Sequence, residues 1–254
     1  MCLIVFAWRP GEQLPLLVAA NRDEFHARPS RPLAEWSDHP GVYAGRDLEA
    51  GGTWMGYTAG GRFAALTNIR APQRRDGLRS RGHLVADFLT GDASPEAYLQ
   101  ALSAETVRYA GFNLLVGDGC SLWFLNSREG RPQPVEPGVH GLSNASLNTS
   151  WPKLARARAA LAHQLEQPEP DREVLFAVLA DRWQPPVSAL PDTGVGLETE
   201  RMLSSVFITS QAYGTCASTL LSVHADGRWE LEERSFGPLG AELGEVRVQG
   251  RVEG

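Results

Sequence analysis

The chain opens with two short apolar runs separated by a turn. Cys2–Trp8 is apolar throughout, Pro10-Gly11 marks a turn, and Leu14–Ala20 is again mostly apolar. Short apolar runs bounded by turn residues are typical of buried strands. We therefore predict an N-terminal hairpin. Its second strand leads into the polar block Asn21–Glu24, which is either a surface loop or part of a site.

Glycine and proline positions divide the next part of the chain. Residues 27–41 are rich in proline and predict an ordered loop. Gly60-Gly61 predicts a hairpin turn before the return strand Arg62–Asn68. Asp118-Gly119 predicts a second hairpin turn. The strands that this second turn joins are Phe112–Gly117 and Ser121–Leu125.

Several later segments carry helix signals. Ser80 and Ser94 are candidate N-caps, and Pro95 stands at a first helical position. The predicted helices cover about Arg81–Leu89, Ser94–Leu102, Lys153–Leu165 and Arg172–Arg182. Residues 184–200 predict a loop rich in proline and glycine. The last predicted strands are Val206–Ser210, Thr215–His224 and Trp229–Ser235.

This order of strands, helices, strands, helices and strands predicts an α+β fold. Such segregation favours antiparallel sheets with helices packed outside them. We find no internal repeat, and a chain of 254 residues suits one domain of this kind. We therefore predict a single domain over residues 1–254.

Composition narrows the function classes. Hydrophobic residues make up 43% of the chain and charged residues 21%, an ordinary globular balance. The net charge is −6, and no arginine-rich run is visible, which argues against nucleic acid as a partner. No stretch approaches the ~20 apolar residues of a membrane span, and the N-terminus does not read as a signal peptide. We expect a cytoplasmic protein.

The cysteines predict neither a disulfide framework nor a metal site. Cys2, Cys120 and Cys216 form an odd, sparse set without a CxxC spacing. Cys2 is distinctive because removal of Met1 would place a thiol and a free α-amine on one residue. An α-amine with a pKa near 8 is a suitable base for its own thiol. The alternative is a small buried residue that opens a core strand.

Other polar residues could complete such a site. Asp23 could orient the α-amine, and Arg22 could stabilise the thiolate or a substrate carboxylate. Asn68 and Asn144 could donate amide hydrogens to a developing oxyanion. The alternatives are an exposed salt bridge for the charged pair and turn or capping roles for the asparagines.

Longer motifs resemble a known family. They are MCLIVFAW, AANRDEFHARP, AGRDLEAGGTWMGYT, FAALTNIR, SRGHLVADFL, FNLLVGD, GLSNASLNTSWPKL, LSSVFI and YGT. In this order they resemble the NRDE family, which includes the eukaryotic transport and Golgi organisation proteins. That family in turn resembles the N-terminal-nucleophile hydrolases of the choloylglycine hydrolase and penicillin V acylase type.

The resemblance implies a fold and a chemistry. The fold is a four-layer αββα sandwich of two antiparallel sheets flanked by helices. The implied reaction is hydrolysis of a non-peptide amide through a thioester on Cys2, with Asp23 near the amine and Asn68 and Asn144 at the oxyanion hole. Two positions depart from the pattern, because Ala20 and Cys216 stand where arginines are expected.

Two functions follow from this resemblance. The first is an amidohydrolase that requires no cofactor. The second is a non-catalytic protein that binds or carries haem, an acyl-CoA or another lipid in the same cleft. Haem would then be a cargo, and the sequence does not choose a ligand among His26, His83 and His140. The residues predicted to contact a small-molecule substrate or ligand are Asn21, Glu24, Phe25, Trp54 and Tyr213.

Overall fold

Two antiparallel sheets form the centre of the molecule. The computed structural model describes residues 2–72, 79–167 and 169–252. The first sheet, sheet A, has the strand order β10-β1-β2-β11-β12-β13. Its strands are β1 Cys2–Trp8, β2 Leu16–Phe25, β10 Gly138–Leu142, β11 Tyr213–Val223, β12 Arg228–Phe236 and β13 Glu242–Arg251.

The second sheet, sheet B, runs in chain order from β3 to β9. Its strands are β3 Ser30–Trp36, β4 His39–Asp47, β5 Met55–Thr58, β6 Phe63–Asn68, β7 Phe112–Gly117, β8 Leu122–Asn126 and β9 Gln133–Pro134. Each strand pairs with its sequence neighbour, through short connections except between β6 and β7, where two helices intervene. The turns predicted at Gly60-Gly61 and Asp118-Gly119 are confirmed.

Helices cover the outer faces of both sheets. They are α1 Gly82–Thr90, α2 Pro95–Ser103, α3 Pro152–Gln164, α4 Arg172–Leu179 and α5 Leu197–Met202. Apolar residues of α1 and α2 pack on sheet B, and those of α3 and α4 pack on sheet A. The predicted four-layer αββα sandwich is confirmed. Within the described ranges, no helix is long and apolar enough to cross a membrane.

The apolar run of β1 is continuous because both faces of the strand are covered. Ile4 and Phe6 point into the core between the two sheets. Leu3 and Val5 point the other way, under α3 and α4. A strand buried on both sides has no need of polar alternation. This arrangement places the N-terminal strand in the interior, with Cys2 at its first position.

The structure corrects several predicted elements. Residues 27–41 are not a loop, because β3 and the start of β4 lie there; β3 is an exposed edge strand in which Pro32 weakens the strand signal. Val206–Ser210 is not a strand, although Val206 is buried beneath the helices. The loop 184–200 contains the start of α5. Sequence reasoning missed β13, an exposed and largely polar edge strand.

Of the two predicted N-cap residues, Ser94 is confirmed and Ser80 is wrong. Ser94 caps α2 by accepting a hydrogen bond from the backbone N–H of Ala97 at 3.3 Å. Ser80 does not cap α1, because that helix begins one residue later than predicted, with Arg81 at the N-cap. Met1, whose removal the sequence analysis considers, lies outside the described residues.

Candidate active site

The polar block Asn21–Glu24 lies inside a strand rather than after one. It belongs to β2, which runs between β1 and β11 in sheet A. Side chains alternate along the strand, so Arg22 faces the space between the sheets while Asn21 and Asp23 face the helical side. Asn21, Arg22 and Asp23 are all buried. The block is therefore not the surface loop that was one of the two interpretations.

Cys2 lies directly opposite Arg22 across the β1–β2 pair. Its side chain is 8% exposed. Burial raises the pKa of the Cys2 thiol, and the Asp23 carboxylate adds to this, while Arg22 and the backbone amide of Asp23 oppose it. The thiol therefore stays protonated at neutral pH and needs a base before it can act as a nucleophile.

Asp23 is held by the neighbouring strand and faces a buried lysine. Thr215 donates a hydrogen bond to Asp23 Oδ1 at 2.7 Å, and its hydroxyl accepts one from the backbone N–H of Ile208 at 2.9 Å. Burial raises the pKa of Asp23, and the positive charge of Lys153 opposes that rise.

Lys153 is a site residue that sequence reasoning missed. It lies in the first turn of α3, is 3% exposed, and donates from Nζ to the carbonyl oxygen of Leu203 at 2.8 Å. Burial lowers its pKa to about 8, against the opposing charge of Asp23. Proline at the start of the helix and a lysine beside it predict only an ordinary helix start, so the sequence carries no signal for this contact.

The two predicted oxyanion residues meet each other near Cys2. Asn144 Nδ2 donates to the backbone carbonyl oxygen of Asn68 at 2.9 Å. Ser143 links them to Cys2, because its hydroxyl donates to the carbonyl oxygen of Cys2 at 3.5 Å and to Asn144 Oδ1 at 3.3 Å. These bonds fix the ends of β6 and β10 beside the start of β1. The oxyanion role of the two amides stays a prediction.

A buried ion pair lies beside this cluster. Arg70 and Glu200 form a salt bridge in which the two side chains are 2% and 3% exposed. Glu200 also accepts hydrogen bonds from the backbone N–H and the hydroxyl of Thr193, at 2.8 and 2.6 Å. The Arg70 guanidinium stacks on Trp151, with 4.6 Å to the ring centroid. Sequence reasoning missed this pair because the partners are 130 residues apart.

A cavity of about 610 Å³ opens on the other side of Arg22. Its lining includes Arg22, Trp54, Cys216, Glu233, Phe236 and Leu243. Trp54, a predicted contact residue, lies over Arg22 with 4.2 Å between the guanidinium carbon and the ring centroid. Cys2 is not among the lining residues, although its strand partner Arg22 is. We refer to this space below as the Arg22 pocket.

Four predicted contact residues lie outside the Arg22 pocket. The Asn21 amide donates to the carbonyl oxygens of Leu179 and Val206, at 2.8 and 2.9 Å, and so supports the strand. Phe25 is 49% exposed and packs edge-on against Tyr213, which donates to the carbonyl oxygen of Asp23 at 3.1 Å. Glu24 accepts from the backbone N–H of Phe25.

The three histidines considered for haem occupy unrelated places. His83 contacts the carbonyl oxygen of Ala50 at 2.6 Å, and His140 contacts that of Glu136 at 2.8 Å. His26 lies beside Cys216, with 3.5 Å between Nδ1 and Sγ. In the part of the chain that the structure describes, no cluster of three or more His, Cys, Asp or Glu side chains could hold a metal ion.

Gly45 makes room for the tryptophan above Arg22. A Cβ at this position would lie 2.3 Å from two carbons of the Trp54 ring. We expect Gly45→Ala to displace the indole and to lower the free energy of unfolding by about 1–3 kcal/mol. Gly60→Ala is the control, because its Cβ would meet nothing closer than 3.8 Å. Denaturant unfolding of both variants measures the difference, and equal stabilities would refute the steric explanation.

Comparison with known proteins gives a consistent set of relatives. The sequence profile of the family Transport and Golgi organisation 2 matches residues 1–238. The Homo sapiens Transport and Golgi organization protein 2 homolog is 37% identical over 258 residues, covering 93% of each chain. The Mus musculus homolog is 34% identical over 258 residues with the same coverage. The broader NRDE grouping stays a prediction.

Two solved structures share the fold at low sequence identity. An N-acylethanolamine-hydrolyzing acid amidase ortholog of Caenorhabditis elegans has a TM-score of 0.50 at 12% identity, covering 87% of this chain and 92% of its own. A mutant conjugated bile acid hydrolase from Clostridium perfringens has a TM-score of 0.55 at 9% identity, covering 99% of this chain and 94% of its own. At these identities the likeness shows the fold alone.

Proposed function

This chain belongs to the Transport and Golgi organisation 2 family, and we propose that it is an amidohydrolase with Cys2 as its N-terminal nucleophile. Its substrate would be a small molecule with a non-peptide amide bond. The observation that carries the proposal is the arrangement at the start of β1. There Cys2 faces Arg22, and Asp23 is fixed by Thr215 in the next position. The hydrolase fold of the two solved structures supports it by analogy.

The proposed reaction begins with removal of Met1, which frees the α-amine of Cys2. That amine takes the proton of the buried thiol, and the thiolate attacks the amide carbonyl carbon. Amide hydrogens of Asn68 and Asn144 stabilise the oxyanion. The C–N bond then breaks, and the leaving amine takes the proton from the α-ammonium group. Water, activated by the same amine, hydrolyses the thioester and releases the carboxylic acid.

Asp23 and Lys153 act on this reaction through the α-amine. In the proposed site, the Asp23 carboxylate holds the amine in orientation, and the positive charge of the buried Lys153 opposes the rise in the pKa of Asp23 that burial causes. Neither residue needs to touch the substrate. Both are therefore positioning residues in this proposal.

A second candidate function is non-catalytic binding of an acyl-CoA, another lipid or haem. The observation that favours it is the separation of the cavity from the Cys2 thiol, because the lining of the Arg22 pocket includes Arg22 and several apolar side chains but not Cys2. A carrier needs such a pocket and no reactive thiol. Turnover of an amide substrate separates the two candidates.

The first test is the N-terminus of the purified protein. We expect intact mass spectrometry to show a chain that begins at Cys2, and iodoacetamide to abolish amide hydrolysis. The test uses a Cys120→Ser variant, because Cys120 is exposed and would react first. Full retention of Met1 in an active preparation would contradict the proposed mechanism.

A further inference from the structure

Arg22 is a buried cation that forms no salt bridge with a carboxylate in the part of the chain that the structure describes. Its side chain is 7% exposed and faces the Arg22 pocket beneath Trp54. Its guanidinium makes no hydrogen bond and no salt bridge to any side chain or carbonyl oxygen within residues 2–72, 79–167 and 169–252. Removing a charged group from water costs several kcal/mol unless a partner compensates. The cation–π contact with Trp54 offsets only part of that cost.

Glu233 is a buried carboxyl group that lines the same pocket, but it forms no salt bridge with Arg22. Glu233 accepts from the backbone N–H of Leu33 at 2.8 Å and from Thr219 at 3.4 Å, and no salt bridge joins it to Arg22. Burial raises the pKa of Glu233 to about 7. Near neutral pH this carboxyl is therefore only partly ionised, and it compensates the charge of Arg22 only in part.

Six apolar side chains, which we call the apolar wall, also line the pocket, and one of them, Leu243, is 69% exposed. They are Pro29, Pro32, Trp54, Phe236, Pro238 and Leu243. A ligand that matches both the Arg22 guanidinium and these apolar side chains carries an anionic group at one end and an apolar chain at the other.

We propose that the Arg22 pocket binds an amphipathic molecule with a single carboxylate head, which Arg22 holds beneath Trp54 while the apolar chain follows the wall toward Leu243. A guanidinium matches a carboxylate in a planar, two-bond geometry. This inference goes beyond the proposed hydrolysis, because the site binds such a molecule whether or not Cys2 reacts.

Cys216 adds no charge to the pocket, which favours a head group with one charge rather than two. It lies at the β-bulge between Thr215 and Ala217 and places a neutral thiol in the pocket lining. Burial raises the pKa of the Cys216 thiol, so it stays uncharged. A dianionic phosphate head at the base of the pocket would meet the buried cation Arg22 and the partly ionised Glu233, while the second arginine of the lining, Arg31, lies at an exposed position.

The binding test is calorimetric titration of the Cys2→Ala protein with decanoate, decanol and decyl phosphate. We expect decanoate to bind at least about tenfold more tightly than decanol, because charge-assisted hydrogen bonds are the stronger class. Arg22→Gln should abolish this preference. Arg31→Gln is the matched control, because Arg31 lines the same pocket at an exposed position, and it should change affinity about twofold or less.

Cys216→Arg tests the charge selectivity. We expect it to raise the affinity for decyl phosphate relative to decanoate by about tenfold, since it adds a second guanidinium beside the head group. Equal binding of decanoate and decanol by the Cys2→Ala protein with Arg22 intact would overturn the proposal. So would an Arg22→Gln protein that still prefers decanoate, or a Cys216→Arg protein whose head-group preference is unchanged. Because Cys2 is absent throughout, these results do not depend on the proposed hydrolysis.

The affinity for decanoate should fall as pH rises from about 6 to about 8. Below its raised pKa Glu233 is neutral; above it, the carboxylate repels the ligand and competes for Arg22. Glu233→Gln should flatten the profile, and a fall that persists in this variant would contradict the assignment. His26→Gln in the same Cys2→Ala protein distinguishes any contribution of the His26 imidazole from that of Glu233. The titratable or charged groups that line the pocket with Glu233 are Arg22, His26, Arg31, Cys216 and Glu245.

Discussion

Replacement of Cys2 by alanine is expected to lower the rate of amide hydrolysis by at least about 10³-fold. The reason is that the variant lacks the only atom that forms the thioester in the proposed mechanism, and loss of a nucleophile removes most of an enzyme's rate enhancement. The measurement is the release of p-nitroaniline from a series of short- to long-chain acyl p-nitroanilides.

Two controls make this result interpretable. Cys120→Ala removes an exposed thiol far from β1 and should leave the rate unchanged. Cys2→Ser keeps the size of the side chain and should retain the fold, which circular dichroism and denaturant unfolding would verify for both Cys2 variants. A folded Cys2→Ala protein with the original rate would eliminate the hydrolase proposal and leave the binding function.

Loss of the Glu200 carboxylate is expected to lower the free energy of unfolding by about 3–5 kcal/mol. Glu200→Ala leaves the Arg70 guanidinium buried without its counter-ion, and Arg70 Nε and Nη2 already lack hydrogen-bond partners among the described residues. Burial lowers the pKa of Arg70, and the Glu200 charge works against that shift. Total stabilities of about 5–15 kcal/mol make such a loss severe.

An exposed ion pair is the matched control for this prediction. Asp226 and Arg228 are joined at 2.6 Å with side chains 46% and 61% exposed, so Asp226→Ala should change the stability far less than Glu200→Ala. If Glu200→Ala does not fold, the double variant Arg70→Met with Glu200→Leu should, because apolar residues of similar volume replace a buried pair at little cost. A loss below about 1 kcal/mol in Glu200→Ala would show that the pair contributes no more than a surface contact.

The sheet and helix content was predictable where one physical signal dominated. The strand Cys2–Trp8 is an unbroken apolar run because both of its faces are covered, and the Gly60-Gly61 turn has the residues that tight hairpins require. The capping of α2 by Ser94 followed from its hydroxyl and the adjacent proline. The layer order followed from the order of the elements.

Other features were not predictable, because their cause lies in tertiary contacts. The strand β13 carries charged residues at an exposed edge, so its sequence has no apolar stripe. Val206 is apolar because helices cover it, and not because it belongs to a strand.

The candidate site divides in the same way. Residue type and family resemblance pointed to Cys2, Asp23 and Asn144, whose catalytic roles stay predictions. The contribution of Lys153 and of the Arg70–Glu200 pair depends on burial that no local pattern encodes. The Arg22 pocket could not be predicted without the strand register. That register points Arg22 into the space between the two sheets, while Asn21 and Asp23 face the helices.

The most direct test of the central claim is to trap the acyl-enzyme. The protein would be mixed with an acyl p-nitroanilide that it hydrolyses, quenched in acid during turnover, and analysed by intact mass spectrometry and peptide mapping. The account predicts one acyl group, attached as a thioester to an N-terminal peptide that begins with Cys2. Turnover with the acyl group on another residue, or with no acyl group on the protein, would contradict it.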